Sequence, residues 1–164
     1  MKRLVRLSDI FYHATNNENF SISNDYQNTQ QEMGPGLYIT NKDYILKWDN
    51  LLQHRDYIVE MEGNLNIIKE ENMPTSHQMA KELINNGCTI EDVRKEKSLI
   101  SGETFNRNIT DIATKRLWSK MKGYDAIEPY FDEGYQLLVL NTNKLTINNI
   151  KTFDDFYDSL KSSY

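Results

Sequence analysis

At 164 residues, with 38% hydrophobic and 26% charged side chains, the chain is long enough to bury a core as one soluble domain, and a formal net charge of -5 excludes wrapping nucleic acid by charge alone. Cys88 is the lone cysteine, which rules out an internal disulfide and a thiolate zinc cluster, and His13, His54 and His77 lack the paired spacing of a metal site. No apolar run reaches a membrane-spanning length, and the stretch after Lys2, Arg3 and Arg6 is broken by Ser8 and Asp9, so the expectation is a protein without a signal peptide, metal or membrane partner, cytoplasmic or delivered into the cytoplasm of a host or target cell.

In chain order, residues 3–7 alternate and predict a short strand or the approach to one, and residues 10–15 predict the next. His13 falls where that strand yields to Asn16-Asn17-Glu18-Asn19, a place where functional side chains are common. The plainer reading is a hydrogen-bonded core histidine. Residues 21–32 are polar and without period, and read as an exposed loop able to cover a site. Met33-Gly34-Pro35-Gly36 then turns tightly, and the run after it alternates, with Leu37 and Ile39 on one face and Tyr38 and Thr40 on the other. Asn41 is placed to cap a helix over residues 43–48. Tyr38 and Trp48 are thereby aimed at a backbone with no side chains in the way, a slot for a flat ring. Ordinary core aromatics after a glycine turn are the competing reading.

Residues 57–62 predict a strand closed by Gly63-Asn64, with residues 65–68 pairing back as a hairpin. Thr75 and Gln78 have capping-box spacing for a helix ending at Gly87, and Thr89 starts another. Neither helix shows chemistry, and both read as a scaffold insertion. Ile109, Ile112, Ala113, Leu117 and Met121 lie at helical spacing, Trp118 extends that face, and Gly123 stops the helix. Lys115, Arg116, Lys120 and Lys122 form either a basic patch or, more plainly, the solvated face of that helix. A short strand at residues 124–127 and an acidic loop at 128–134 lead to residues 135–140, the most apolar strand, expected to be central and covered on both faces. Gln136 at its entrance is conspicuous. Residues 144–147 predict a further strand, and Thr152 caps a final helix burying Phe153, Phe156, Tyr157 and Leu160.

Three of these stretches, taken in order, resemble the ADP-ribosyltransferases, in particular the His–Tyr–Glu class of diphtheria-type toxins and poly(ADP-ribose) polymerases. They are Phe11-Tyr12-His13-Ala14-Thr15, Gly36-Leu37-Tyr38-Ile39-Thr40 with Trp48 ten residues past the tyrosine, and Gly123-Tyr124-Asp125-Ala126-Ile127 running into Gln136-Leu137-Leu138-Val139-Leu140-Asn141. The resemblance spans about residues 10–147 and leaves 70–108 without an account. It implies an α+β fold: a split, mixed β-sheet core with a nucleotide cleft, flanked by helices, in a single catalytic domain over residues 1–164 with a helical insertion at about 70–122. It also implies NAD as substrate, cleaved at the bond between nicotinamide and ribose. By carry-over, His13 bonds the ribose hydroxyls and the Ala14 backbone, where the family more often has glycine, holds the carboxamide. Thr15 and Gly36 complete the nucleotide site, and Tyr38 and Trp48 sandwich the nicotinamide. A pyridinium against such electron-rich faces gains roughly 0.5–2 kcal/mol.

The third motif departs from the family. Its glutamate, which stabilises the positive oxocarbenium-like sugar, falls in register at Gln136, which can bond a hydroxyl but supplies no charge. Glu133 and Asp132 lie just upstream in the loop. Three versions stand open: Gln136 acts alone in a slower enzyme, Glu133 provides the charge, or the site binds NAD with little chemistry. The expectation is a mono-ADP-ribosyltransferase acting on a protein or nucleic-acid acceptor, a toxin, effector or phage-type modifier by analogy of size. A NAD or ADP-ribose binding module, and a structural or inhibitory partner protein, are the alternatives; a partner that inhibits this protein is also left open. RNA 2′-phosphotransferases share the fold, but Arg3, Arg6 and Arg55 are poorly placed for a phosphate.

Overall fold

A computed structural model describes residues 9–22, 33–45, 55–100, 108–129 and 136–161. Along them run β1 (Asp9–Thr15), β2 (Leu37–Ile39), α1 (Lys42–Ile45), β3 (Tyr57–Gly63), β4 (Ile67–Lys69), α2 (Ser76–Asn85), α3 (Ile90–Leu99), α4 (Ile109–Met121), β5 (Ala126–Glu128), β6 (Leu137–Val139), β7 (Thr146–Thr152) and α5 (Phe153–Lys161). The predicted strand at 3–7, the covering loop from residue 23 on, Trp48 and Glu133 lie outside the described residues.

The chain is an α+β protein built on two sheets. One has the order β1-β3-β7, antiparallel throughout; the other runs β2-β6-β5-β4, antiparallel except where β4 lies parallel to β5. Among the described residues they are hydrogen-bonded to each other at one bridge. Tyr12 N–H donates to the Thr40 carbonyl at 2.7 Å and Thr40 N–H to the Tyr12 carbonyl at 2.9 Å, joining β1 to the end of β2. Between the sheets lies an apolar core of Phe11, Leu37, Ile39, Val59, Met61, Leu137 and Val139, with Phe20 and Leu65 supplied by loops. The opposite face of the four-stranded sheet, with Tyr38, Ile127 and Leu138, packs on Ile100 after α3 and on Ile112 and Ala113 of α4. The opposite face of the three-stranded sheet, with Tyr12 and Ile58, is covered by Ile45 of α1 and Phe156 of α5. The period-2 alternation read for residues 37–40 is thus the alternation between two cores.

Local signals account for the helix starts. Asn41 Oδ1 accepts from Tyr44 N–H at 3.0 Å, Thr75 from Gln78 N–H at 3.2 Å and Asn108 from Asp111 N–H at 3.1 Å. A reciprocal capping box is formed by Thr89 and Asp92. The Asp92 carboxyl is held below its ordinary value, first by the Thr89 N–H and then by its hydroxyl.

Three expectations are corrected. Residues 65–68 do not fold back on β3: Asp125 takes the N–H of Asn66 on its carboxylate and donates its own N–H to the Asn66 carbonyl, both at 2.7 Å, and the chain crosses to the other sheet. The last strand starts later and runs to Thr152, after a 3-10 turn at Thr142–Lys144. On α5, Phe156 is buried and Leu160 packs against the same cluster, but Tyr157 is 48% exposed and does not join the core as expected.

Candidate functional site

The turn before β2 is glycine-rich because of what the protein itself packs there. Gly34 has φ +86 and a Cβ on it would stand 3.1 Å from Ile100 Cγ1; Gly36 has φ +155 and a Cβ would collide with Leu138 Cδ1. Three successive carbonyls of the turn, those of Met33, Gly34 and Pro35, accept from side chains. Those of Met33 and Pro35 accept from Arg116 Nη1 at 2.8 and 2.9 Å, and that of Gly34 accepts from the Tyr38 hydroxyl at 2.6 Å. Tyr38 is therefore not an open face of a slot. Its ring is 5% exposed in the apolar layer over α4, and the phenol closes the turn that precedes it.

His13 sits at the seam. Its ring Nδ1 lies 2.8 Å from the Tyr38 carbonyl, which can only accept, so Nδ1 carries the hydrogen and the neutral ring has its lone pair on Nε2. The imidazole is half-buried beside Phe20, with ring centroids 5.0 Å apart. By alternation along β1 it shares the Phe11 side, whereas the half-buried Ala14 packs with Tyr12 and Ile45 on the other. Thr15 is buried, and its hydroxyl receives Asn17 N–H at 3.1 Å.

The third motif reaches the same place through β6. Leu37, Tyr38 and Ile39 pair with Val139, Leu138 and Leu137, and one further step of that register sets Gln136 opposite Thr40. Both are buried, at 8% and 2% exposure. The structure brings His13 to the Tyr38 backbone, while Thr40 and, by the extended register, Gln136 alternate to the Tyr38 face. It does not bring the Tyr38 ring to the His13 side of the sheet, since their side chains alternate to opposite faces.

Sequence reading missed several buried charges near these elements, among them two that bond backbone groups. Arg116, read within a solvated basic face, is 6% exposed: its Nε donates to Glu96 at 2.7 Å, and Lys120 shares the same oxygen at 3.4 Å. Lys115 bonds the buried Glu70 at 2.6 Å, and Lys122 lies 3.2 Å from Glu82. The four cations bind α4 to its neighbours rather than facing a ligand. The i, i+4 spacing of Arg116 with Ile112 and Lys120 was the available signal, because it lies against the apolar stripe. Asp125 is the other case, 3% exposed and bonded by Asn66 N–H, Asn141 Nδ2 at 3.1 Å and Lys144 Nζ at 2.8 Å. Burial pushes its carboxyl up, but Lys144 and the two asparagine contacts outweigh that and hold it below the ordinary value.

A groove of about 420 Å³ opens elsewhere, between α2, α3 and α4, floored by Leu83, Leu117 and Met121 and sharing no lining residue with the seam. Among the described residues, no cluster of three or more His, Cys, Asp or Glu side chains could hold a metal ion, and no helix is long and apolar enough to cross a membrane.

No family model matches the chain. No curated protein matches it either. Among solved structures it is similar to one described as the crystal structure of an anti-CRISPR protein, at 14% identity and a TM-score of 0.46, over 90% of this chain and 96% of that one; at that score the likeness carries no argument.

Proposed function

We propose that this protein is a NAD-dependent mono-ADP-ribosyltransferase, which breaks the bond between nicotinamide and ribose and passes ADP-ribose to a protein or nucleic-acid acceptor. The observation that carries the reading is the seam. Two motifs distant in sequence meet there, His13 bonded to the Tyr38 carbonyl, and the β2–β6 register carried one step further would set the third, Gln136, opposite Thr40. Two mostly antiparallel sheets joined at the Tyr12–Thr40 pair support a split-sheet core of the transferase type.

In this reading the electron pair of the broken bond leaves with the nicotinamide, which departs neutral and needs no acid. The acceptor nucleophile attacks the ribose carbon and loses its proton to solvent. His13 Nε2 faces the ribose hydroxyls, and the backbone of Ala14 and Thr15 holds the carboxamide. Gly36 fixes the edge of the cleft. Tyr38 supports that edge from beneath, so Trp48 is the stacking residue. Gln136 bonds a ribose hydroxyl, and any fixed negative charge comes from Glu133.

Nicotinamide release from labelled NAD, measured for three variants beside the wild type, tests this. His13→Ala is expected to abolish release. Glu133→Ala removes the charge if the loop supplies it, while Gln136→Glu is expected to raise the rate by roughly 10²-fold, the scale of a preorganised electrostatic group. A well-folded protein that releases no nicotinamide, labels no acceptor and gains no thermal stability with NAD overturns the reading. The uncharged Gln136 and the closed Tyr38 ring favour a second one, a module that binds NAD or ADP-ribose without turnover. Saturable binding with intact NAD recovered afterwards identifies it.

A further inference from the structure

We propose that Arg116 is the positioning residue of the candidate cleft, and that α3 and α4 set the cleft's shape through it; this rests on the nucleotide-binding reading of the seam. Carbonyls 33 and 35 both end on one guanidinium nitrogen, and the carbonyl between them ends on the Tyr38 phenol. A turn whose three successive acceptors are taken by side chains has its path dictated by where those side chains stand. Arg116 stands where Glu96 puts it, by the 2.7 Å bond to Nε. The same stretch of chain supplies Ile100, which lies under Gly34. A shift of α3 therefore moves the turn, and the turn leads directly into Tyr38 and Thr40, which carry the His13 contact and the seam pair.

The guanidinium is suited to this task and an ammonium is not. Its planar fork serves the carboxylate on one edge and two carbonyls on another, whereas lysine offers a point charge with no fixed fork. The helices between β4 and β5 thus have a part in the site, as its buttress. A purely structural Arg116 would change global stability and leave the turn's local motion in proportion. A positioning Arg116 changes the turn first.

Amide hydrogen exchange and steady-state kinetics on Arg116→Lys, Arg116→Met and Glu96→Gln separate these. In Arg116→Lys, exchange at residues 36–40 is expected to rise by about tenfold or more while residues 112–119 of α4 stay within about threefold. The KM for NAD is expected to rise by about tenfold with kcat nearly unchanged. Glu96→Gln should move both readouts in the same direction by less, and Arg116→Met by more; if the methionine variant does not fold, the other two decide. Unchanged exchange at 36–40 in folded Arg116→Lys, or a rise spread evenly over the chain, overturns the proposal. A wild-type protein that neither binds nor cleaves NAD defeats the transferase reading instead, and the exchange data still decide whether Arg116 positions the turn.

Discussion

Arg116 and Asp125 solve the same problem with opposite charges. Each is a buried ion placed where backbone leaves a sheet and cannot be paired by it. Arg116 collects carbonyls from the turn before β2, and Asp125 collects the Asn66 N–H from the crossing into β4, together with the Asn141 amide. Their counter-ions differ. Glu96 is 5% exposed, so the arginine pair is largely shielded from water, while Lys144 has 49% of its side chain exposed and brings more solvent to the aspartate. One junction therefore depends on its partner for charge balance and the other on its geometry. An interior pair is strongly coupled because either charge left alone is unsolvated, whereas a charge with a wet counter-ion is screened and replaceable.

The largest effect should come from Arg116→Met. It leaves Glu96 with the more distant Lys120 and takes one hydrogen bond from each of two turn carbonyls, at a cost of about 3–5 kcal/mol. Denaturant or thermal unfolding measures it. A loss under about 1 kcal/mol would mean that water reaches Glu96, and the contrast with Asp125 would collapse.

Asp125→Asn keeps the shape and removes the charge, and should cost about 1–2 kcal/mol at neutral pH. Its pH dependence is sharper than its size. Because the folded carboxyl lies below its ordinary value of 3.8, the contribution is fully present above that value and is lost as the pH falls through the lower, folded one. The stability gap between wild type and variant should therefore stay level from neutral pH down to about 4 and close below it. A gap that persists unchanged into strong acid would show that the asparagine fails by shape, and that the carboxylate charge is not what the junction uses.

How much of this the sequence discloses depends on the range of each interaction. Period, caps and glycine stops are local, so β1, β3, α2 and α4 are read nearly to their ends, and the division of Leu37 and Ile39 from Tyr38 is read correctly. The failures are long-range. Residues 65–68 look like the return arm of a hairpin because nothing nearby announces Asp125, fifty-nine residues on. Arg116 looks solvated because it stands among three other cations, while the carbonyls it serves are more than eighty residues upstream. The glycines at 34 and 36 signal a close approach, but not whether a ligand or Leu138 makes it. The chain order of the three candidate motifs is read directly. Which face each side chain takes is decided by strand register, and that is what separates the Tyr38 ring from His13.

The smallest effect has the most to say about the arginine junction, because it uses the same chemistry one turn away. Glu91 and Arg94 sit on α3, the helix that carries Glu96, and their Oε1–Nη1 distance of 2.7 Å equals that of the buried pair. Both side chains are about two-thirds exposed, so water solvates either one when the other is removed. Arg94→Ala should change stability by no more than about 0.5 kcal/mol, and less still at high salt. Hydrogen exchange at residues 36–40 should not respond, since the ion pair of Arg94 lies outside the path from Glu96 through Arg116 to the turn. A response there would mean that any loosening of α3 reaches the seam, and the specific path through the guanidinium would lose its claim over the helix as a whole.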